Sequence, residues 1–152
     1  MIKRSFIAIS AIIVLSVVLI SCKKDANQAE IDKGIIEEYV LEKGLDGQFT
    51  SSGLYYIIHI EGSTVHPTIT SEINVSYTCA SLSGVLYDEG EYYTNYLSNL
   101  IAGWQEGIPL IGEGGEITLI IPSGLAYGPK GSFNIPSNEV LIFDITLNYF
   151  TD

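Results

Sequence analysis

The stretch Val140-Leu141-Ile142-Phe143-Asp144-Ile145-Thr146-Leu147-Asn148-Tyr149-Phe150 sets Leu141, Phe143, Ile145, Leu147 and Tyr149 against Ile142, Asp144, Thr146 and Asn148. A period of two sustained over that length describes a long β-strand with one buried face. Just upstream, Glu116–Ile121 (EITLII) is a second apolar, β-branched run, closed by Pro122. Leu54–Ile60 and Ile73–Ala80 are two further runs of the same kind. Between Ala80 and Glu116, Ile101–Ile111 (IAGWQEGIPLI) has room for one or two helical turns, and Gly112-Glu113-Gly114-Gly115 makes a turn. These elements predict an α+β domain in which an antiparallel sheet carries one short helix against its inner face.

Upstream of Gln48 the period changes. Ile31, Ile35, Ile36, Tyr39 and Val40 recur at helical spacing, with Asp32, Glu37, Glu38 and Glu42 mostly on the other side and Gly44 as a C-cap after Lys43. The spacing predicts an N-terminal amphipathic helix within residues 30–47, running from Glu30 to Lys43 and packing outside an independently folding domain at 48–152. The polar Lys23–Ala29 segment, with Cys22, reads as a flexible tether over 22–29.

Residues 1–21 have the organisation of a transport signal. Lys3 and Arg4 precede the apolar run Phe6–Ile20, which only Ser10 and Ser16 interrupt. As a helix that run spans roughly 22 Å at ~1.5 Å per residue, short of the ~30 Å hydrocarbon core of a bilayer. Such a length suits a signal peptide better than a single membrane helix. Leu19-Ile20-Ser21-Cys22 resembles the bacterial lipobox. That resemblance implies a lipoprotein signal peptide at 1–21, cleavage before Cys22 and lipidation of its thiol. It places the chain in a bacterial cell envelope, lipid-anchored to the outer membrane and facing the periplasm or the surface. Separately, the chain is expected to be a monomer.

Composition excludes several classes. The 152 residues suffice for one domain and an appendage, and 47% hydrophobic content excludes a wholly disordered chain. Seven Lys+Arg against eighteen Asp+Glu, a net charge of −11, exclude a nucleic-acid partner, which requires a basic footprint. Two cysteines allow at most one disulfide, and with Cys22 acylated Cys79 reads as a small buried apolar residue. There is no G-x-S-x-G, G-x-x-x-x-G-K or H-E-x-x-H. His59, His66 and Cys79 show no metal-ligand spacing, and Asp88, Glu89 and Glu91 read as a solvated turn. No cofactor and no metal are expected.

Aromatic residues at strand and loop ends then carry the chemistry. Val75-Ser76-Tyr77-Thr78, Ile101-Ala102-Gly103-Trp104-Gln105-Glu106-Gly107, Ile121-Pro122-Ser123-Gly124-Leu125-Ala126-Tyr127-Gly128 and Ile135-Pro136-Ser137-Asn138 followed by Leu141-Ile142-Phe143-Asp144 occur in this order. Together they resemble the FKBP-type peptidyl-prolyl cis-trans isomerases, whose patterns are V-x-Y-T-G, V-I-x-G-W-x-E-G, I-P-x-x-L-A-Y-G, I-P-x-N and L-x-F-x-V-x-L. The match covers about residues 50–152.

The resemblance implies an FKBP-like sheet wrapped around the short helix, and a site for X-Pro peptide bonds of proline-containing polypeptides or for macrolide-type inhibitors. Trp104 matches the floor on which proline sits; Tyr77, Tyr87 and Phe143 match aromatic walls. Leu100 and Ile101 match a Val-Ile pair whose isoleucine amide holds a substrate carbonyl. Tyr127 matches a hydroxyl donor, Asp88 the aspartate beside a wall aromatic, and Ile135 the covering loop. A further aromatic wall falls to Tyr93 or Tyr96. Two departures stand out: Cys79 replaces a glycine, and Tyr87-Asp88-Glu89-Gly90 replaces F-D-S-S. The function implied is either prolyl isomerisation in envelope or exported proteins, or a binding module that grips proline segments with little catalysis.

Overall fold

The computed structural model describes residues 27–152, so the expected signal peptide, Cys22 and residues 22–26 of the expected tether lie outside it. The first helix, α1, occupies 27–43 and is already helical where the end of the tether was expected. The strands are β1 (Gln48–Phe49), β2 (Tyr55–Ile60), β3 (Glu72–Ser81), β4 (Leu86–Tyr96), β5 (Glu116–Ile121) and β6 (Leu141–Thr151), with helix α2 (Ala102–Gly107) between β4 and β5. They form one antiparallel sheet in the order β1-β2-β5-β6-β3-β4. The architecture is the predicted one: an antiparallel sheet with a short helix and an N-terminal helix.

The two faces of the sheet hold separate cores. On the inner face, Leu141, Phe143, Ile145 and Leu147 of β6 pack with Ile117, Leu119 and Ile121 of β5, Ile73 and Val75 of β3, and Trp104 and Ile108. Helix α2 approaches β5 so closely that only glycine fits at two positions: a Cβ on Gly103 would lie 2.5 Å from Ile121 Cγ2, and one on Gly107 2.5 Å from Leu119 Cδ1. On the outer face, Ile36 of α1 is buried against Tyr55, Ile120 and Val140. Each fully buried Ile or Leu contributes about 1.5–3 kcal/mol, so both faces matter to the fold.

Three expectations are corrected. Asp32 is not on the solvent side of α1: it is fully buried, whereas Ile31 and Ile35 are exposed. The inward stripe is Asp32, Ile36, Tyr39 and Val40, which keeps helical spacing but is rotated from the purely apolar one. Asp88, Glu89 and Glu91 form no turn; they belong to β4, paired with β3 through Cys79↔Asp88 and Thr78↔Glu89. The alternation of β6 ends at Leu147. Opposite Asn74 and Val75 the register slips by one residue, which turns Tyr149 outward and Phe150 towards the core.

Candidate functional site

Where β3, β4 and β6 meet α2, the inner face opens into a cavity of about 280 Å³ lined by Tyr77, Asp88, Tyr93, Leu100, Ile101, Trp104, Tyr127 and Phe143. Its base is an aromatic cluster. The Trp104 ring stands edge-on to Tyr77 at 5.0 Å and to Phe143 at 5.3 Å, and Tyr93 meets Tyr77 edge-on at 6.0 Å. Such edge-to-face contacts add ~0.5–1.5 kcal/mol each beyond burial and hold the rings in fixed planes. Trp104 is carried on the first turn of α2, which Gly103 lets sink onto β5.

Strand irregularities aim the other walls. Between Val75↔Tyr93 and Tyr77↔Gly90, β4 carries an extra residue; the bulge contains Tyr92 at φ 52° and directs Tyr93 inward. Tyr93 rather than Tyr96 therefore supplies the extra aromatic wall. A second slip, between Cys79↔Asp88 and Ala80↔Leu86, leaves Tyr87 as the additional residue. Tyr87 packs against the inner core but is not among the cavity-lining side chains, and its hydroxyl donates to Glu139 at 3.2 Å. Ile135 likewise stays in the core beside the site.

The walls also carry polar groups, three tyrosine hydroxyls and the Asp88 carboxylate. Leu100 and Ile101 lead into α2, and Gln105 Nε2 donates to the Leu100 carbonyl at 2.7 Å, holding the Leu100–Ile101 peptide plane. The Ile101 N–H has no hydrogen-bond partner among the described residues. The Tyr77 hydroxyl donates to Asp88 Oδ2 at 2.8 Å, whereas the Tyr127 hydroxyl has no partner among the described residues. Burial raises the phenol pKa of Tyr127; burial and then the Asp88 bond raise that of Tyr77. Both stay protonated at neutral pH. Burial also pushes the Cys79 thiol up to about 12, away from a reactive thiolate. The Trp104 indole N–H is buried with no partner among the described residues.

The histidines lie elsewhere. His59 Nε2 pairs with Thr118 Oγ1 at 2.8 Å on the outer sheet face, and His66 Nδ1 with the Pro109 carbonyl at 2.9 Å. Among the described residues, no group of three or more His, Cys, Asp or Glu could hold a metal ion.

Residues 63–148 match the family profile described as FKBP-type peptidyl-prolyl cis-trans isomerase. The chain belongs to the FKBP-type peptidyl-prolyl cis-trans isomerase family. Among curated FKBP relatives, FkpA of Buchnera aphidicola subsp. Schizaphis graminum is 44% identical over 104 residues, which cover 64% of this chain and 41% of that protein. FkpA of Escherichia coli (strain K12) is 35% identical over 130 residues, covering 82% of this chain and 47% of that one. The chain thus spans about half or less of these relatives' length. Its fold is similar to the crystal structure of FkpA from Escherichia coli, with a TM-score of 0.72 at 31% identity over 99% of this chain and 71% of the other. It is also similar to AtFKBP13, with a TM-score of 0.64 at 28% identity over 70% and 99%.

Within this FKBP fold, seven of the nine pocket residues expected from sequence converge on the cavity: Tyr77, Asp88, Leu100, Ile101, Trp104, Tyr127 and Phe143. The sequence does not distinguish Tyr93 from Tyr96, because the bulge that turns Tyr93 inward has no composition of its own. Gly90, paired with Tyr77 beside that bulge, leaves room for the Tyr77 ring, which a Cβ there would approach to 2.7 Å.

Proposed function

We propose that the protein is a peptidyl-prolyl cis-trans isomerase that acts on X-Pro bonds of envelope or exported polypeptides, held at the membrane by lipid on Cys22. The observation that carries the reading is an aromatic cavity floored by Trp104 and walled by Tyr77, Tyr93 and Phe143, with two unspent donors, the Ile101 N–H and the Tyr127 hydroxyl. Rotation about X-Pro has a barrier of ~18–20 kcal/mol because resonance gives the C–N bond double-bond character. Water stabilises the planar, charge-separated amide. A cavity that removes that water favours the twisted form, where resonance is lost, and every ~1.4 kcal/mol of preference for that form gives about tenfold in rate.

In this mechanism the proline ring rests on Trp104 between Tyr77, Tyr93 and Phe143. The Ile101 N–H and the Tyr127 hydroxyl hold carbonyl oxygens of the substrate, fixing one side of the bond while the other turns. No proton moves and no covalent intermediate forms. Macrolide-type inhibitors would occupy the same cavity.

Three tyrosine hydroxyls and one carboxylate on the walls favour a second reading, a module that grips proline segments with little turnover. Isomerisation of an Ala-Leu-Pro-Phe-type peptide separates the two. The enzyme reading expects wild-type catalysis that falls at least tenfold in Phe143→Ala, a change that also costs ~3–5 kcal/mol of stability. A folded wild type that binds such peptides without accelerating them supports the binding module. The anchor is tested separately: Cys22→Ser should abolish labelling by a fatty-acid probe, and persistent labelling contradicts it.

A further inference from the structure

Asp32 has no exposed surface, and it sits on a helix that does not line the cavity. Its Oδ2 accepts from the Ser123 backbone N–H at 2.8 Å and from the Ser123 hydroxyl at 2.6 Å. Its Oδ1 accepts from Gln28 Nε2 at 2.7 Å. A buried carboxylate is tolerated only when its oxygens are satisfied in this way. Ser123, itself buried, opens the 3₁₀ turn Ser123–Leu125, whose N-cap residue Pro122 makes no side-chain bond to it. Asp32 therefore supplies, from a helix at the other end of the sequence, the cap that the local sequence lacks.

From Ser123 the chain reaches Tyr127 without slack. The Leu125 N–H bonds the Pro122 carbonyl at 2.9 Å and the Ala126 N–H bonds the Ser123 carbonyl at 3.0 Å. Tyr127 is the N-cap of the next turn, Gly128–Lys130, and the Gly128 carbonyl accepts from the Asn138 N–H at 2.9 Å. Two turns with only Ala126 and Tyr127 between them make a stiff arm: Asp32 holds one end, and the free Tyr127 hydroxyl is at the other.

We infer that Asp32 is a positioning residue for Tyr127: helix α1 fixes the Ser123–Tyr127 arm through its buried carboxylate and so sets the hydroxyl donor of the site. Its effect on rate rests on the proposed isomerase reading; its effect on the arm does not. An apolar contact such as that of Ile36 would attach the helix without fixing this arm. Removing the carboxylate leaves the Ser123 N–H and hydroxyl without an acceptor in a dry place, and the arm shifts to recover partners. A purely structural Asp32 would instead lower stability and leave the pocket unchanged.

The test uses the full chain with 13C-labelled tyrosine, as wild type, Asp32→Ala, Asp32→Asn, Ser123→Ala and the Asp32→Ala/Ser123→Ala double variant. Tyr127→Phe assigns the Tyr127 ring signals. Melting curves choose a temperature at which every variant is folded. There, Asp32→Ala and Ser123→Ala should move the Tyr127 signals and leave those of Tyr77 in place. Each should lower kcat by about tenfold, equivalent to about 1.4 kcal/mol, with KM changed by less than about twofold. The double variant should be no worse than either single change, because both remove one set of bonds. Asp32→Asn keeps an acceptor oxygen for Ser123 and should recover most of the loss. Should Asp32→Ala fail to fold, Ser123→Ala and Asp32→Asn carry the same comparison. A folded variant with a lower melting temperature but wild-type kcat and Tyr127 signals overturns the inference. If the wild type does not isomerise peptides, the isomerase reading fails and the Tyr127 signals alone decide: shifted signals support the arm, unshifted signals overturn it.

Discussion

The Tyr77 hydroxyl on β3 donates to Asp88 Oδ2 on β4 at 2.8 Å, so two neighbouring strands are joined at the wall of the cavity that both residues line. The ring reaches that position by lying over Gly90, where a Cβ would stand 2.7 Å from Tyr77 Cε1. The bond ties the carboxylate to the phenol, whose pKa is raised first by burial and then by this bond.

Tyr77→Phe tests this bond with the ring retained. The pair is solvent-exposed, so its net contribution to stability is at the low end of the ~0.5–1.5 kcal/mol range for a hydrogen bond, and the melting temperature should barely change. Activity should fall a few-fold as Asp88 loses its orientation. Gly90→Ala displaces the ring itself and should cost more on both counts. Equal activity in wild type and Gly90→Ala, measured by peptide isomerisation, contradicts a fixed wall.

Alkaline stability should depend on Cys79. Burial raises this thiol from its ordinary 9.0 to about 12. The folded chain therefore keeps a proton that the unfolded chain releases, and the stabilisation, complete below pH 9, is lost as pH rises through that window. One such group contributes at most about 1.4 kcal/mol per pH unit. Tyr77 and Tyr127 act with the same sign from about pH 10 upward. Urea unfolding between about pH 8 and 11 should show a shallower loss in Cys79→Ala than in wild type. Identical slopes contradict the assignment.

Much of this was legible in the sequence for a physical reason. A strand buried on one face writes its period into its residues, so Leu141, Phe143, Ile145 and Leu147 announce β6. The edge strand β4 has only β3 as a partner and carries Asp88, Glu89 and Glu91, so it has no apolar period to read. Bulges are invisible for a related reason. They arise where two registers disagree, and the slips beside Tyr87, Tyr92 and Asn148 decide whether Tyr87, Tyr93 and Tyr149 face the site, the core or solvent. Asp32 defies its pattern because a carboxylate on a helix usually marks the wet side, whereas this one is buried. Its acceptor role became visible only with Ser123 beside it.

The dependence of the domain on α1 follows from the outer core. A chain beginning at Gln48 loses Ile36 from its contacts with Tyr55, Ile120 and Val140 and leaves Ser123 without its carboxylate. It should still unfold cooperatively, because the inner core is intact, but with stability lower by about 3 kcal/mol or more. Urea unfolding of the two chains measures the difference. A shortened chain as stable as the full one would mean that α1 only rests on the sheet.

In the proposed mechanism the site removes water from the amide and moves no proton. Its most direct test is kcat/KM for a proline peptide across about pH 6–8, a range well below the titration of a buried tyrosine. The profile should be flat in the wild type and equally flat but lower in Tyr127→Phe. A bell-shaped profile centred near neutrality, abolished by His59→Asn or His66→Asn, would contradict it.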